Sequence, residues 1–266
     1  MANNQKQEKL KKELDSFQNM WPGGYYEGDP LNPLSKSTYN IIGYISVLHA
    51  VYLTCIKPYV KEGTVALEIG PGRGAWSKTM LQAQEFWCMD ALSAEHNGFW
   101  DYIGPADHVQ YFQVDDFSCS MLPDNHFDYF FTFGTLCHIS FDGISEYMKN
   151  LYPKLKSGAH CFAMVADYEK FNRAIDNKEN LNIINVLKPK NKIKRWLWSL
   201  QWKVTKKYGV PPKYDLENED DTPRPGRWYH AGVERTCRML EEHGYQVLDS
   251  DVGAVPRDPI IHFVKP

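Results

Sequence analysis

Apolar positions change spacing along this chain in a way that divides it into elements. The first twenty residues are rich in Lys, Glu and Gln and read as a polar helix. Trp21 to Ser35, "WPGGYYEGDPLNPLS", is dense in Gly, Pro and Asp and reads as irregular. Ser37 to Ile56 carries no formal charge and reads as a buried helix, since its Ser, Thr, Asn, His and Tyr residues argue against a membrane span. Short continuous apolar runs then alternate with helical spacing. "TVALEI", "EFWCMD", "HVQYFQVDD", "HFDYFFTFG" and "GAHCFAMVAD" read as strands, with helices over Ala75 to Gln84 and Asp142 to Leu155. Uninterrupted apolar strands in a βαβα rhythm predict an α/β fold: a parallel, Rossmann-like sheet covered by helices on both faces.

The rhythm breaks near Tyr168 and resumes with a helix at about Ala231 to His243 and two strands, "YQVLDSDV" and "PIIHFV". Four regions follow: an N-terminal helical and lid segment over 1–60, a core over 61–167, a late insertion over 168–228 read as a substrate cap, and the end of the core over 229–266. Between Lys188 and Lys207 the insertion holds eight basic residues and no acid, interleaved with Trp196, Trp198 and Trp202, and an acidic stretch, Asp215 to Gly226, follows. A solvated helical cap, an anion-binding surface, and a membrane or nucleic-acid contact all fit that pattern.

Composition narrows the partners. A net charge of -3 over 266 residues gives no field for stable nucleic-acid binding. The six cysteines form neither a CxxC pair nor a Cys/His ligand pattern, so they read as reduced thiols of a cytoplasmic protein without a metal cluster. The charged N-terminus has no signal-peptide core. The sequence leaves a homodimer open.

The candidate chemistry is concentrated in "VALEIGPGRGAW", Val65 to Trp76. Gly70, Gly72 and Gly74 permit a sharp turn and close ligand approach, with a helix N-terminus expected to follow. Gly70, Gly72 and Ala75 also satisfy a dinucleotide fingerprint, and a nicotinamide-dependent oxidoreductase is the rival reading. Glu68 weighs against it, because a carboxylate there would repel a pyrophosphate. S-adenosylmethionine, a sulfonium with an ammonium group and no phosphate, suits that acid. Asp90, with Ala91 beside it, is placed to accept the ribose hydroxyls. Asp115 or Asp116 is placed to accept from the adenine amino group, with Phe117 against the ring. The same two acids could hold a weak Mg²⁺.

"LEIGPGRG", "MD", "VDDF", "LPDNHFDYFFTFGTLCHIS" and "YPKLKSGAHCFAMV" resemble, in order and spacing, the motifs of class I S-adenosylmethionine-dependent methyltransferases over about residues 60–167. The resemblance implies a seven-stranded sheet with an antiparallel last strand. It also implies cofactor roles for Glu68, Gly70, Gly72, Asp90, Asp116 and the backbone at Phe133 and Gly134. The Cys-containing loop Ser118 to Leu122 is longer than the family's.

A hydroxyl acceptor must lose a proton as it takes the methyl, and His138 in "GTLCHIS" and His230 in "GRWYHAG" are the candidate bases. "GGYYEGDP" reads as a lid, with Tyr26 toward the cofactor and Tyr25 toward the acceptor. Tyr168, Arg224 and Arg227 are candidate acceptor contacts, the arginines for an anionic one. The resulting expectation is O-methylation of a small molecule such as a sugar, a phosphorylated or phosphoramidate compound, or a secondary-metabolite precursor. N- or C-transfer and RNA methylation are the alternatives, although no NPPY-like tetrapeptide follows the fourth strand.

Overall fold

The computed structural model describes residues 2–35, 46–180, 216 and 227–266. Its contacts form two compact units, one of Met1–Asp167 with Asp220–Pro266 and one of Tyr168–Glu219. The first unit holds a seven-stranded sheet built from β1 (Val65–Ile69), β2 (Glu85–Asp90), β3 (Val109–Gln113), β4 (Phe127–Thr132), β5 (Leu155–Met164), β6 (Gln246–Asp249) and β7 (Ile260–Val264). The strand order is β3-β2-β1-β4-β5-β7-β6. The first five strands are parallel, and β7 runs antiparallel between β5 and β6. This is the seven-stranded sheet with a reversed last strand that the motifs implied.

Alternation along the strands sends side chains into two separate cores. Val65, Leu67 and Ile69 join Phe127, Phe130 and Phe263 under α1 (Ala2–Asp15), α5 (Phe141–Leu151) and the C-terminal helix of the sheet domain. Ala66, Phe86, Cys88, Tyr129, Phe131 and Phe162 face the other way. There they pack under α2 (Val47–Val51), its π-helical continuation Tyr52–Ile56, and α3 (Ala94–Asn97) with α4 (Phe99–Ile103). In the second unit α6 spans Tyr168–Asn180, and α7 (Val233–Glu242) is the C-terminal helix of the first. Among the described residues, no helix is long and apolar enough to cross a membrane. All six cysteines are free, and burial pushes their thiols above the usual range.

One element differs from expectation. Ala75 to Gln84 forms turns and a four-residue 3-10 segment, Ser77–Met80, rather than an α-helix. Gly74 has a positive φ of 99°, outside helical space. The Thr79 hydroxyl donates to the Trp76 carbonyl (2.6 Å) and the Ser77 hydroxyl to Glu68 (2.6 Å). Such local side-chain bonds compete with the helical ladder. The basic stretch Lys188 to Lys207, and Arg224 in the acidic one, lie outside the described residues, as do residues 36–45 of the uncharged segment.

Candidate active site

The carboxyl ends of β1, β2 and β4 open into one cavity, which the N-terminal segment also lines. Its floor is the glycine turn. Gly70 has φ 75°, and a Cβ there would lie 1.9 Å from the Thr135 hydroxyl oxygen, so no other residue fits without moving the loop after β4. Gly134 has φ 74°, which favours glycine, and lines the cavity, where a Cβ would meet no atom within 4 Å. Phe133 and Thr135 flank it on the wall.

Asp90 ends β2 at the centre of this floor. One carboxylate oxygen accepts from the Gly72 N–H (3.1 Å) and the other from the Leu92 N–H (2.9 Å). The two bonds fix the carboxylate plane, and the Asn97 side chain and the Ala91 N–H also donate to it. Desolvation pushes this carboxyl up to about 6, against the pull of the Leu92 and Gly72 amides. Ala91 and Leu92 continue the wall.

Glu68 is not on that wall. It is buried on the opposite face of β1, where it accepts from Ser77, and desolvation holds its carboxyl at about 8. Its bond from Ser77 ties β1 to the turn that follows. The residue expected to meet a cationic ligand is thus not among those that line the cavity. Asp115, Asp116 and Phe117 also lie away from the cavity. The two acids border a shallow groove beside α1 with Lys6 and Lys11, and Asp116 accepts from the Ser118 N–H (2.8 Å) in a local turn. The Phe117 ring is buried against Tyr147 (4.6 Å between centroids). Tyr147 takes part in the cavity wall instead.

The N-terminal segment is fastened across the turn by backbone bonds. The Arg73 N–H donates to the Tyr25 carbonyl (3.3 Å), the Gly23 N–H to the His96 carbonyl (3.0 Å), and the His96 ring meets the Met20 carbonyl (2.7 Å). Leu14, Phe17, Trp21, Tyr25 and Glu27 therefore wall the cavity. Tyr26 instead packs outside on Tyr102 and Arg73. Behind this segment the buried Glu13 carboxylate accepts from both the N–H and the hydroxyl of Ser140, the residue that caps α5. Glu13 escapes a sequence reading because its neighbours are Lys and Glu. The available signal is that it shares a helix face with Leu10, Leu14 and Phe17.

His138, in a short 3-10 turn after β4, is on the wall with its ring 5.4 Å from that of Trp21. Its Nδ1 lies 2.9 Å from the Arg227 carbonyl, an acceptor only, so Nδ1 carries the proton and Nε2 the lone pair. Burial depresses its pKa below 6.5, opposed by the Arg227 contact and assisted by Arg257. The ring is thus neutral at neutral pH. His230 is not on the wall; its ring lies beside Gly232. Asp167 accepts from the Val233 N–H (2.9 Å) and so serves α7. Tyr168 opens the second unit. Arg227 contributes its carbonyl to His138, and its guanidinium stacks on Tyr229 (4.7 Å) rather than facing the cavity.

Residues 67–163 match the model of a methyltransferase domain. A structure from Listeria monocytogenes, assigned as an S-adenosylmethionine-dependent methyltransferase, superposes with a TM-score of 0.52 at 14% identity over 83% of this chain and 98% of that one. Magnesium protoporphyrin IX methyltransferase from Synechocystis is similar at 13% identity, over 86% and 91% of the two chains, with a TM-score of 0.47. No curated protein sequence matches the chain. With the strand order, these findings define the class: residues 67–163 match a methyltransferase domain, and the sheet has the Rossmann-like fold of methyltransferases. The matched residues run from Leu67 in β1 to Ala163 in β5.

Proposed function

We propose that the protein methylates a hydroxyl of a small molecule, with His138 as general base. One observation carries this reading: a neutral histidine on the cavity wall whose Nδ1–H is already engaged, leaving Nε2 basic. A base of that kind is what a hydroxyl acceptor requires and a thioether or neutral amine does not.

The donor is held by this chain's own groups in four places. Asp90 accepts the ribose hydroxyls, and the Gly70–Gly72 turn with Gly134 leaves room for the methionine portion. Ala91, Leu92 and Tyr147 enclose the base, and Tyr25 closes over the turn. The open space at Gly134 and the pre-oriented Asp90 carboxylate support that fit. Bound there, S-adenosylmethionine supplies a methyl group already activated by its sulfonium. The protein contributes alignment, exclusion of water and a proton acceptor.

The test is kinetic. His138→Gln should lower kcat by about a hundredfold or more, with donor affinity by calorimetry within threefold of the unsubstituted protein. In the unsubstituted protein, kcat should fall on the acid side with an apparent pKa below 6.5, the direction burial gives this ring. That limb should vanish in the variant. A full kcat in His138→Gln would remove the base and leave only the methyltransferase class.

A further inference from the structure

The N-terminal segment brings three aromatic rings to the acceptor side of the cavity in a continuous row. Phe17 stacks on Trp21 (6.0 Å between centroids, 24° between planes), and Trp21 meets Tyr25 edge-on (6.1 Å, 72°). Trp21 is also the ring beside His138. Its backbone has φ 45°, in the left-handed region that a bulky residue rarely occupies. Strain of this kind persists only where the surroundings enforce it, and it concentrates at functional sites. Three backbone and ring bonds around residues 20–25 supply that enforcement.

The charges on the same wall point in one direction. Among the described residues that line the cavity, the ionisable side chains besides tyrosine and the neutral His138 are Asp90 and Glu27, and there is no Lys or Arg. An anionic acceptor would be stripped of water beside two acids, and the described cation that acts on His138 and Tyr25, Arg257, is engaged with Asp258 (2.7 Å) and Trp228 (3.6 Å) rather than on that wall.

We infer that Trp21 is the platform on which the acceptor lies, and that the acceptor is a planar, uncharged hydroxyl compound of the phenol or naphthol type. This rests on the O-transfer reading above. The flat ring stacks on the indole, as offset aromatic pairs do, and its hydroxyl is directed at His138. The hydroxyl proton passes to Nε2 while the oxygen forms its bond to the methyl carbon. The carbon–sulfur bond breaks with its electron pair retained by sulfur, giving a neutral thioether. The imidazolium then returns its proton to water. No oxidant or further reactant is required.

The full-length protein saturated with S-adenosylhomocysteine is titrated with 2-naphthol, 2-naphthyl phosphate and methyl glucoside, followed by tryptophan fluorescence and calorimetry. Naphthol should bind at least tenfold more tightly than either of the others. Trp21→Leu, which keeps apolar bulk without a flat face, should weaken naphthol at least tenfold, whereas Trp21→Phe should stay within about threefold. Both variants should bind S-adenosylhomocysteine within threefold of the unsubstituted protein, which also verifies that they fold. Equal or tighter binding of the phosphate or the glucoside would overturn the proposal, as would naphthol binding indifferent to Trp21→Leu. The preceding S-adenosylhomocysteine titration separates the two levels. Its failure would remove the transfer reading, while its success with indifferent naphthol would remove only the platform.

Discussion

Glu68 and Asp90 end neighbouring parallel strands, yet they do different work because β1 turns one inward to the sheet's far core and β2 leaves the other at the cavity floor. Asp90→Asn should therefore weaken donor binding about ten- to a hundredfold, the worth of charge-assisted hydrogen bonds, as read by calorimetry. Donor affinity should also fall as pH drops through about 6, where this carboxyl takes up its proton. Glu68→Gln should leave donor affinity within a few fold and show its effect in stability. The Glu68 carboxyl is raised in the folded state from about 4.5 to about 8. Below pH 4.5 both folded and unfolded chains hold the proton. Between pH 4.5 and 8 only the unfolded chain releases it, so stability drains as pH rises, by up to ~5 kcal/mol. The advantage of Glu68→Gln over the unsubstituted protein in thermal melts should accordingly grow from pH 5 to pH 8. The sequence shows an acid at the end of β1 but not the face it occupies. Ala66 and Cys88 on one side are as apolar as Leu67 and Ile69 on the other, so alternation gives no cue. His138 was legible for the opposite reason: it follows β4 at the edge where ligands of open α/β sheets gather.

At the scale of elements, the lid is the part a linear reading grasps least well. "GGYYEGDP" announces a turn-rich segment by composition, and the structure does draw Tyr25 over Gly72. The row from Leu14 to Trp21 that completes the wall lies in the end of α1 and the turn after it, where nothing distinguishes a cavity face from ordinary packing. The shared anchor is Glu13 on Ser140. Glu13→Ala strands a buried amide and hydroxyl at the start of α5, at a cost of about 1–3 kcal/mol, measurable by urea unfolding. Glu13→Gln, which still accepts one of the two bonds, should recover part of it. Donor affinity should weaken in step, because Leu14 and Phe17 are carried by the same helix end. The turn after β1 was misread as a helix, since Ser77 and Thr79 fit a helical pattern on paper while their hydroxyls bond to Glu68 and Trp76 instead.

For the whole molecule, the parallel sheet was the most legible property, because short apolar runs alternate with helical spacing, and the reversed last strand was what the resemblance implied. The helical and aromatic cover contributed from the N-terminus joins the sheet edge around one cavity, so ligand binding should register far from the residues that touch it. S-adenosylmethionine at a hundred times its dissociation constant should stabilise the fold by ~2.7 kcal/mol. Hydrogen exchange should slow at amides of α1 as well as at Gly70 to Leu92. Protection confined to the glycine turn would show that α1 is not coupled to the site.

The place of β7 bears on how the chain is made. Its five residues follow the other six strands of the sheet along the chain, yet they insert between β5 and β6 and pair with both. Until Ile260–Val264 arrive, the long β5 presents a bare hydrogen-bonding edge, the feature that invites one nascent chain to zip onto another. Nascent chains that stop short of Ile260 should thus be the ones most exposed to aggregation, and chaperone occupancy should fall once Val264 has emerged.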